Sequence, residues 1–163
     1  MEWSEASTDL CPVGMTIDLL GEKWMLLIVR DVVNGVHRFE DLRLHLGVSD
    51  AVLADRLRKL VDAEILEKRP YREPGRRPRA EYHVTARGRD LMPVLLAFKQ
   101  WGEVHLADPA RPAIVAHHRG CGGEVAVDLR CDQHGDLTIG PDEVAVVPGP
   151  GARRSRTPLP KRP

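Results

Sequence analysis

The 163-residue chain has no net charge, because 24 Lys plus Arg are matched by 24 Asp plus Glu. The missing basic excess argues against a nucleic-acid partner only if the charges are evenly placed. No apolar run approaches the roughly 18 residues of a membrane-spanning helix, which excludes a span and a membrane partner. Cysteine is scarce. The three present (Cys11, Cys121, Cys131) cannot build a disulfide framework. The opening MEWSEASTDL carries no basic apolar leader, so a cytosolic, cytoplasmic protein is expected. No internal repeat is visible. A nucleophile elbow, a phosphate loop and a His-Glu-x-x-His helix are all missing, which argues against an enzyme. The remaining composition, 42% apolar and 29% charged, is globular and long enough for one main domain with an appendage.

Charge is far from evenly placed. Residues 1–67 hold 13 acids against 7 bases, whereas residues 68–79 (KRPYREPGRRPR) hold six bases against Glu73 alone. The end from Gly149 adds five bases and no acid. The zero is therefore a cancellation between an acidic body and two basic segments.

Apolar periodicity divides the chain into elements. Residues 1–10 read as a flexible arm. A pattern through Val13, Ile17, Leu19 and Leu20 begins at Cys11-Pro12 and breaks at Gly21. The run over 22–33 predicts a helix that stops at Asn34-Gly35. Phe39, Leu42 and Leu46 stand at helical spacing before Gly47, and Ser49 is a natural N-cap for a stripe of Val52, Leu53, Leu57, Leu60 and Val61. Residues 65–69 and 81–84 read as strands flanking the basic loop. Thr85 opens a last helix that runs to about Leu106, with a kink or second start at Pro93. Residues 148–163, rich in Pro, Gly and Arg, predict a disordered basic tail.

Helix, glycine turn, Ser-capped helix, strand, basic loop, strand is the order of a winged helix-turn-helix. In that arrangement the second helix lies in the major groove of double-stranded DNA with its N-terminal residues toward base edges. Ser49 and the amides behind it offer donors to a phosphate. Arg56, Arg58 and Lys59 leave the apolar stripe and can face phosphates or bases. The wing bases Arg76, Arg77 and Arg79 would reach an adjacent minor groove or the backbone. A solvated charged face is the ordinary reading of such a helix. Six bases on one short hairpin are not, since a surface built for stability alone intersperses them with acids.

Taken together, Cys11-Pro12, Gly21-Glu22-Lys23-Trp24, Arg38-Phe39-Glu40-Asp41-Leu42, Arg56-Leu57, Glu81-Tyr82, residues 91–95 and Trp101-Gly102 resemble the HxlR family of bacterial, MarR-like winged helix-turn-helix regulators. The likeness covers about residues 11–106. It implies a homodimer that binds a palindromic promoter, with a repressor as the first reading, and it adds Arg38 to the DNA-binding set. It also implies dimerisation through the N- and C-terminal helices, here residues 11–20 and 88–106. Family recognition helices often carry a base two or three positions past the Ser, where this chain has Ala51 and Val52. Asp50 and Asp55 are acidic. Such groups accept from cytosine amino groups but repel phosphates, so no operator sequence transfers. The resemblance also implies a sensing role, since several family members sense oxidants or electrophiles through an N-terminal Cys-Pro cysteine. Cys11 is the redox-sensing candidate, with a packed hydrophobe as the alternative.

Beyond Asp108-Pro109, short β-like pieces at 124–129 and 143–147 alternate with glycine turns. His118-x-x-Cys121 and Cys131-x-x-His134 form two pairs nine residues apart, a spacing that suits one structural zinc ion, with His117 able to replace His118. A segment of about 40 residues seldom holds a core without a metal or a bridge. The expected fold class is α+β and mainly helical. It comprises an arm (1–10), a winged helix-turn-helix domain (11–107), a small zinc-ribbon-like β appendage (108–147) and the tail (148–163). Two other functions compete. One is a non-specific nucleic-acid-associated interaction protein with a structural zinc site. The other is a zinc hydrolase using Glu124 or Asp128.

Overall fold

A computed structural model describes residues 1–72, 78–108, 110–135 and 137–155. The chain divides into two units. The larger is residues 23–127, and the smaller joins residues 1–22 to those from 128 onward.

In the larger unit, α2 (Met25–Val33), α3 (Phe39–Leu46) and α4 (Asp50–Asp62) are followed by β1 (Leu66–Tyr71), β2 (Arg79–Val84), α5 (Ala86–Arg89) and α6 (Met92–His105). The winged helix-turn-helix order is as the sequence predicts. The predicted apolar stripes supply the core: Met25, Ile28, Val29 and Val32 from α2, Leu42 from α3, Leu53, Leu57 and Leu60 from α4, with Ile65 and Leu66 beyond. Gly47 ends α3 at φ +62°, a conformation that glycine adopts without strain and that turns the chain sharply into α4. Ser49 holds the N-cap position in extended backbone, but its hydroxyl makes no capping hydrogen bond.

A buried acid ties α2 to α3. Asp31, 2% exposed, accepts from Arg30 Nε at 2.9 Å and Nη2 at 2.7 Å, and His45 Nδ1 lies 2.7 Å from its second oxygen. A buried carboxylate needs such partners, because desolvating it alone is costly.

β1 and β2 pair antiparallel, with Leu66 opposite Val84 and Tyr71 opposite Arg79. A third segment joins them: Tyr82 donates its backbone N–H to the His37 carbonyl at 2.8 Å, and Arg38 forms a β-bridge with Glu81. The wing is thereby fixed to the start of the helix pair, aided by stacked His37 and His83 rings 4.2 Å apart.

Of the kink or second start expected at Pro93, the structure has the second start: two helices follow Thr85. The Thr85 hydroxyl caps α5 by accepting from the Gly88 N–H at 3.0 Å. Pro93, which has no N–H to donate, stands in the first turn of a separate α6. At Gly88 only glycine fits, since a Cβ there would lie 2.2 Å from the Ile65 carbonyl oxygen. After α6, a tight turn brings the His118 N–H to the Gly123 carbonyl at 2.8 Å. The Gln100 side chain then brackets Val127, accepting from its N–H at 2.6 Å and donating to its carbonyl at 3.0 Å.

In the smaller unit, α1 (Pro12–Leu20) follows Cys11 at its N-cap, and Leu20 is its one buried residue. The arm read from sequence as flexible forms a short 3-10 turn, Trp3–Glu5. It pairs with part of the segment read as a disordered tail. The Ser7 N–H donates to the Arg153 carbonyl at 2.7 Å, the Ser155 N–H to the Glu5 carbonyl at 2.7 Å, and Arg154 faces Glu5 at 3.5 Å. Backbone pairing needs no apolar content, which is why composition gave no sign of it. Arg130 and Thr138 form a further β-bridge. No described helix is long and apolar enough to cross a membrane.

Candidate nucleic-acid interface

The solvent side of α4 sets what a duplex would meet. With Leu53, Leu57 and Leu60 turned inward, Ser49, Asp50, Ala51, Ala54 and Arg58 are exposed. Ala51 and Ala54 keep the front of the helix thin, and a methyl group of that kind suits contact with thymine methyls. Arg58, 65% exposed, is the long cation of this face, and Lys59 stands beside it at 40%.

Arg56 points elsewhere. Its side chain is 18% exposed, and its Nε donates 3.2 Å to the carbonyl of Lys23, just before Trp24 starts α2 with a positive φ of 84°. In this placement it braces α4 against the entry to α2, although the sequence grouped it with the DNA-facing bases.

Five bases at or beside the interface, Arg38, Arg43, Arg56, Arg58 and Lys59, are paired to acids of the same chain. Asp55 takes three cations: Arg56 and Arg58 donate to its two oxygens, and Lys59 Nζ lies 3.2 Å away. The Lys59 hydrogen bond, supported by the charges of Arg58 and Arg56, holds the Asp55 carboxyl below the usual range. Arg43 on α3 donates to Glu40 and stands 3.4 Å from Asp50, so Asp50 is joined across the turn to the other helix. The Arg43 hydrogen bond lowers the Glu40 carboxyl in the same way. Arg38 Nε donates to Glu81 at 3.1 Å, its guanidinium carbon lies 4.5 Å over the Tyr71 ring, and Glu81 is lowered by that bond first. Asp55 was read from sequence only as an acid. Its spacing to Arg58 and Lys59, three and four residues on, is the signal that would have revealed the cluster.

On the wing, Arg79 is exposed at the start of β2. Arg76 and Arg77, the two other wing bases expected to touch DNA, lie outside the described residues.

Two comparisons decide what fold and interface belong to. A family model described as HxlR-like helix-turn-helix matches residues 19–109. The uncharacterised HTH-type transcriptional regulator Rv3095 of Mycobacterium tuberculosis is 37% identical over 139 residues, covering 85% of this chain and 86% of the relative. The chain belongs to the HxlR-like family. It is a DNA-binding transcriptional regulator of the helix-turn-helix type. Among solved structures, the candidate transcription factor PA1607 matches this HxlR-like chain with a TM-score of 0.73 at 32% identity, over 85% of this chain and 95% of its own. The reduced form of the redox regulator HypR matches at a TM-score of 0.51 and 32% identity, over 57% of this chain and 91% of HypR.

The expected metal ligands are less gathered. His118 Nδ1 lies 3.2 Å from Cys121 Sγ in the larger unit. In the smaller unit Cys131 and His134 share a turn, the His134 N–H donating to the Cys131 carbonyl at 3.1 Å. Among the described residues no three His, Cys, Asp or Glu side chains are grouped to hold a metal ion. Cys11 is half-buried and a free thiol.

Proposed function

We propose that this regulator acts as a homodimer on a palindromic promoter site, reading each half-site with the exposed N-terminal face of α4 and steadying it with the wing. The observation that carries this reading is the solvent face of α4, where Ala51 and Ala54 clear the way and Arg58 extends beyond them. Ser49, Asp50 and Lys59 border that face. Arg38, Arg76, Arg77 and Arg79 are assigned to phosphate or minor-groove contact.

Dimerisation is supported by apolar surface that one copy leaves in water. α6 has no buried residue, and Val94, Phe98 and Trp101 form a stripe at helical spacing on it. α1 exposes Val13, Met15 and Ile17. Contiguous apolar surface of this kind marks interaction sites, and two copies supply the two recognition helices a palindrome needs.

Replacing Arg76 and Arg77 by Ala tests the wing. Weaker binding to DNA recovered by in-vitro selection, with a flatter salt slope, is expected; unchanged binding removes the wing from the mechanism. Repression is the proposed regulatory sense, and reporter output from the selected site in cells with and without the protein tests it.

Oxidation of Cys11 is proposed to alter DNA affinity, supported by its Cys-Pro position at the start of α1 and by the likeness to HypR. If Cys11→Ser protein loses and regains binding with peroxide and reductant as wild type does, Cys11 is not the sensor. A structural zinc ion is proposed on the sequence spacing of the two ligand pairs alone.

A further inference from the structure

Three cations of α4 converge on the one carboxylate of Asp55, and that is more than helix stability asks for. An acid paired with a single base three or four residues on already supports a helix. Here one Asp55 oxygen serves Arg58 and the other serves both Arg56 and Lys59. Asp55 lies one turn beyond Ala51 and adjoins Ala54, so it borders the surface that meets the groove. An uncompensated carboxylate there would repel the phosphates that supply most sequence-independent affinity.

We propose that Asp55 is an internal substitute for a DNA phosphate: it holds Arg58 and Lys59 against the helix and releases them only to a duplex whose base contacts favour close docking. Asp55 is thus a positioning residue that sets specificity, and this rests on α4 being the recognition helix. A random duplex offers phosphates but few matching base edges, so it must compete with Asp55 for the same cations. A matched site adds base contacts that Asp55 cannot offset. Because Arg56 also anchors to Lys23, the exchange falls on Arg58 and Lys59.

The test needs no operator for its first arm. Fluorescence anisotropy with a random 30-base-pair duplex, over a series of salt concentrations, compares wild type with Asp55→Asn, Asp55→Glu and Asp62→Asn. Asp62 is exposed at the far end of α4, so its variant makes the same charge change away from the cluster. Asp55→Asn is expected to tighten random-duplex binding on the order of 5- to 10-fold and to steepen the salt slope by about 1 to 2, as one or two more phosphates are neutralised. Asp55→Glu keeps the charge and should stay near wild type. Adding Arg58→Ala to Asp55→Asn should remove most of the gain. Equal gains from Asp55→Asn and Asp62→Asn would reduce the effect to net charge and overturn the proposal, as would no gain at all.

A second measurement on unaltered protein avoids any folding defect. The Asp55 carboxyl, followed by carbon NMR across acid pH, should titrate higher with DNA recovered by selection bound than with random duplex bound, because only the matched site draws its cations to phosphates. No difference between the two overturns the proposal. DNA recovered by selection separates the two ideas. Wild type that binds it tightly while Asp55→Asn behaves as wild type on random DNA refutes the Asp55 role alone. Failure of every form to bind any duplex refutes the recognition-helix reading, and Asp55 with it.

Discussion

Replacing Phe98 by Ser should break the proposed dimer and leave the folded chain almost untouched. Phe98 is 62% exposed and neighbouring Trp101 is 57% exposed. Full burial of a large apolar side chain is worth about 1.5–3 kcal/mol. With some 60% of that surface still in water, Phe98 keeps roughly 1–2 kcal/mol to be gained on association. A two-fold interface presents the same residue from both copies, so its loss weakens the dimer by about 2–4 kcal/mol. That is roughly a 30- to 700-fold rise in dissociation constant. Sedimentation equilibrium over a range of concentrations reads this directly, and thermal unfolding of the monomer should move by no more than about 0.5 kcal/mol, as for an exposed site. A Phe98→Ser protein that dimerises as tightly as wild type would refute the assignment of α6 to the interface. A wild-type protein that stays monomeric at high micromolar concentration would refute the dimer itself.

Three further outcomes follow from particular contacts. Gly88→Ala sets a Cβ against the Ile65 carbonyl oxygen, so α5 must shift away from the strand junction. A loss of about 1–3 kcal/mol in a denaturant melt is expected, and an unchanged midpoint would contradict the packing described. Glu40, Asp55 and Glu81 are held below the usual carboxylate range by their basic partners. A depressed folded value means their pairing is fully present above the unfolded value and is lost as pH falls through the folded one. Stability from these three groups should therefore be flat between about pH 6 and 8 and decline below about pH 4; a loss centred near neutrality would contradict this origin. Zinc analysis of reduced protein should find about one equivalent, removed by Cys121→Ser. Less than half an equivalent counts against the metal.

How far the sequence speaks depends on the range of the interaction. The helix-turn-helix was legible because its signals are local: Leu53, Leu57 and Leu60 at helical period, Gly47 at a left-handed turn, Ser49 ahead of α4. The wing strands followed from the same kind of pattern. Charge, by contrast, could be counted but not aimed. Arg56 carries the same charge as Arg58, yet it turns inward to Lys23, and only the fold decides between the two. The break between α5 and α6 was half legible, since Pro93 marked the place but not whether the helix would bend or restart. The pairing of residues 5–7 with 153–155 and the Gln100 bracket around Val127 join segments distant in sequence, each to backbone groups on the far side. Those groups are alike at every position and leave no compositional trace.

Sequence-specific reading, of a particular duplex rather than any duplex, is what the proposed function requires of α4 and the wing. In-vitro selection of bound DNA, followed by competition between the recovered sequence and random duplex at physiological salt, tests it most directly. Two inverted half-sites about one helical turn apart are expected, bound more tightly than random DNA by on the order of 1,000-fold or more. No enriched sequence, with selected and random duplexes bound alike, would contradict it and leave a non-specific nucleic-acid-binding protein in its place.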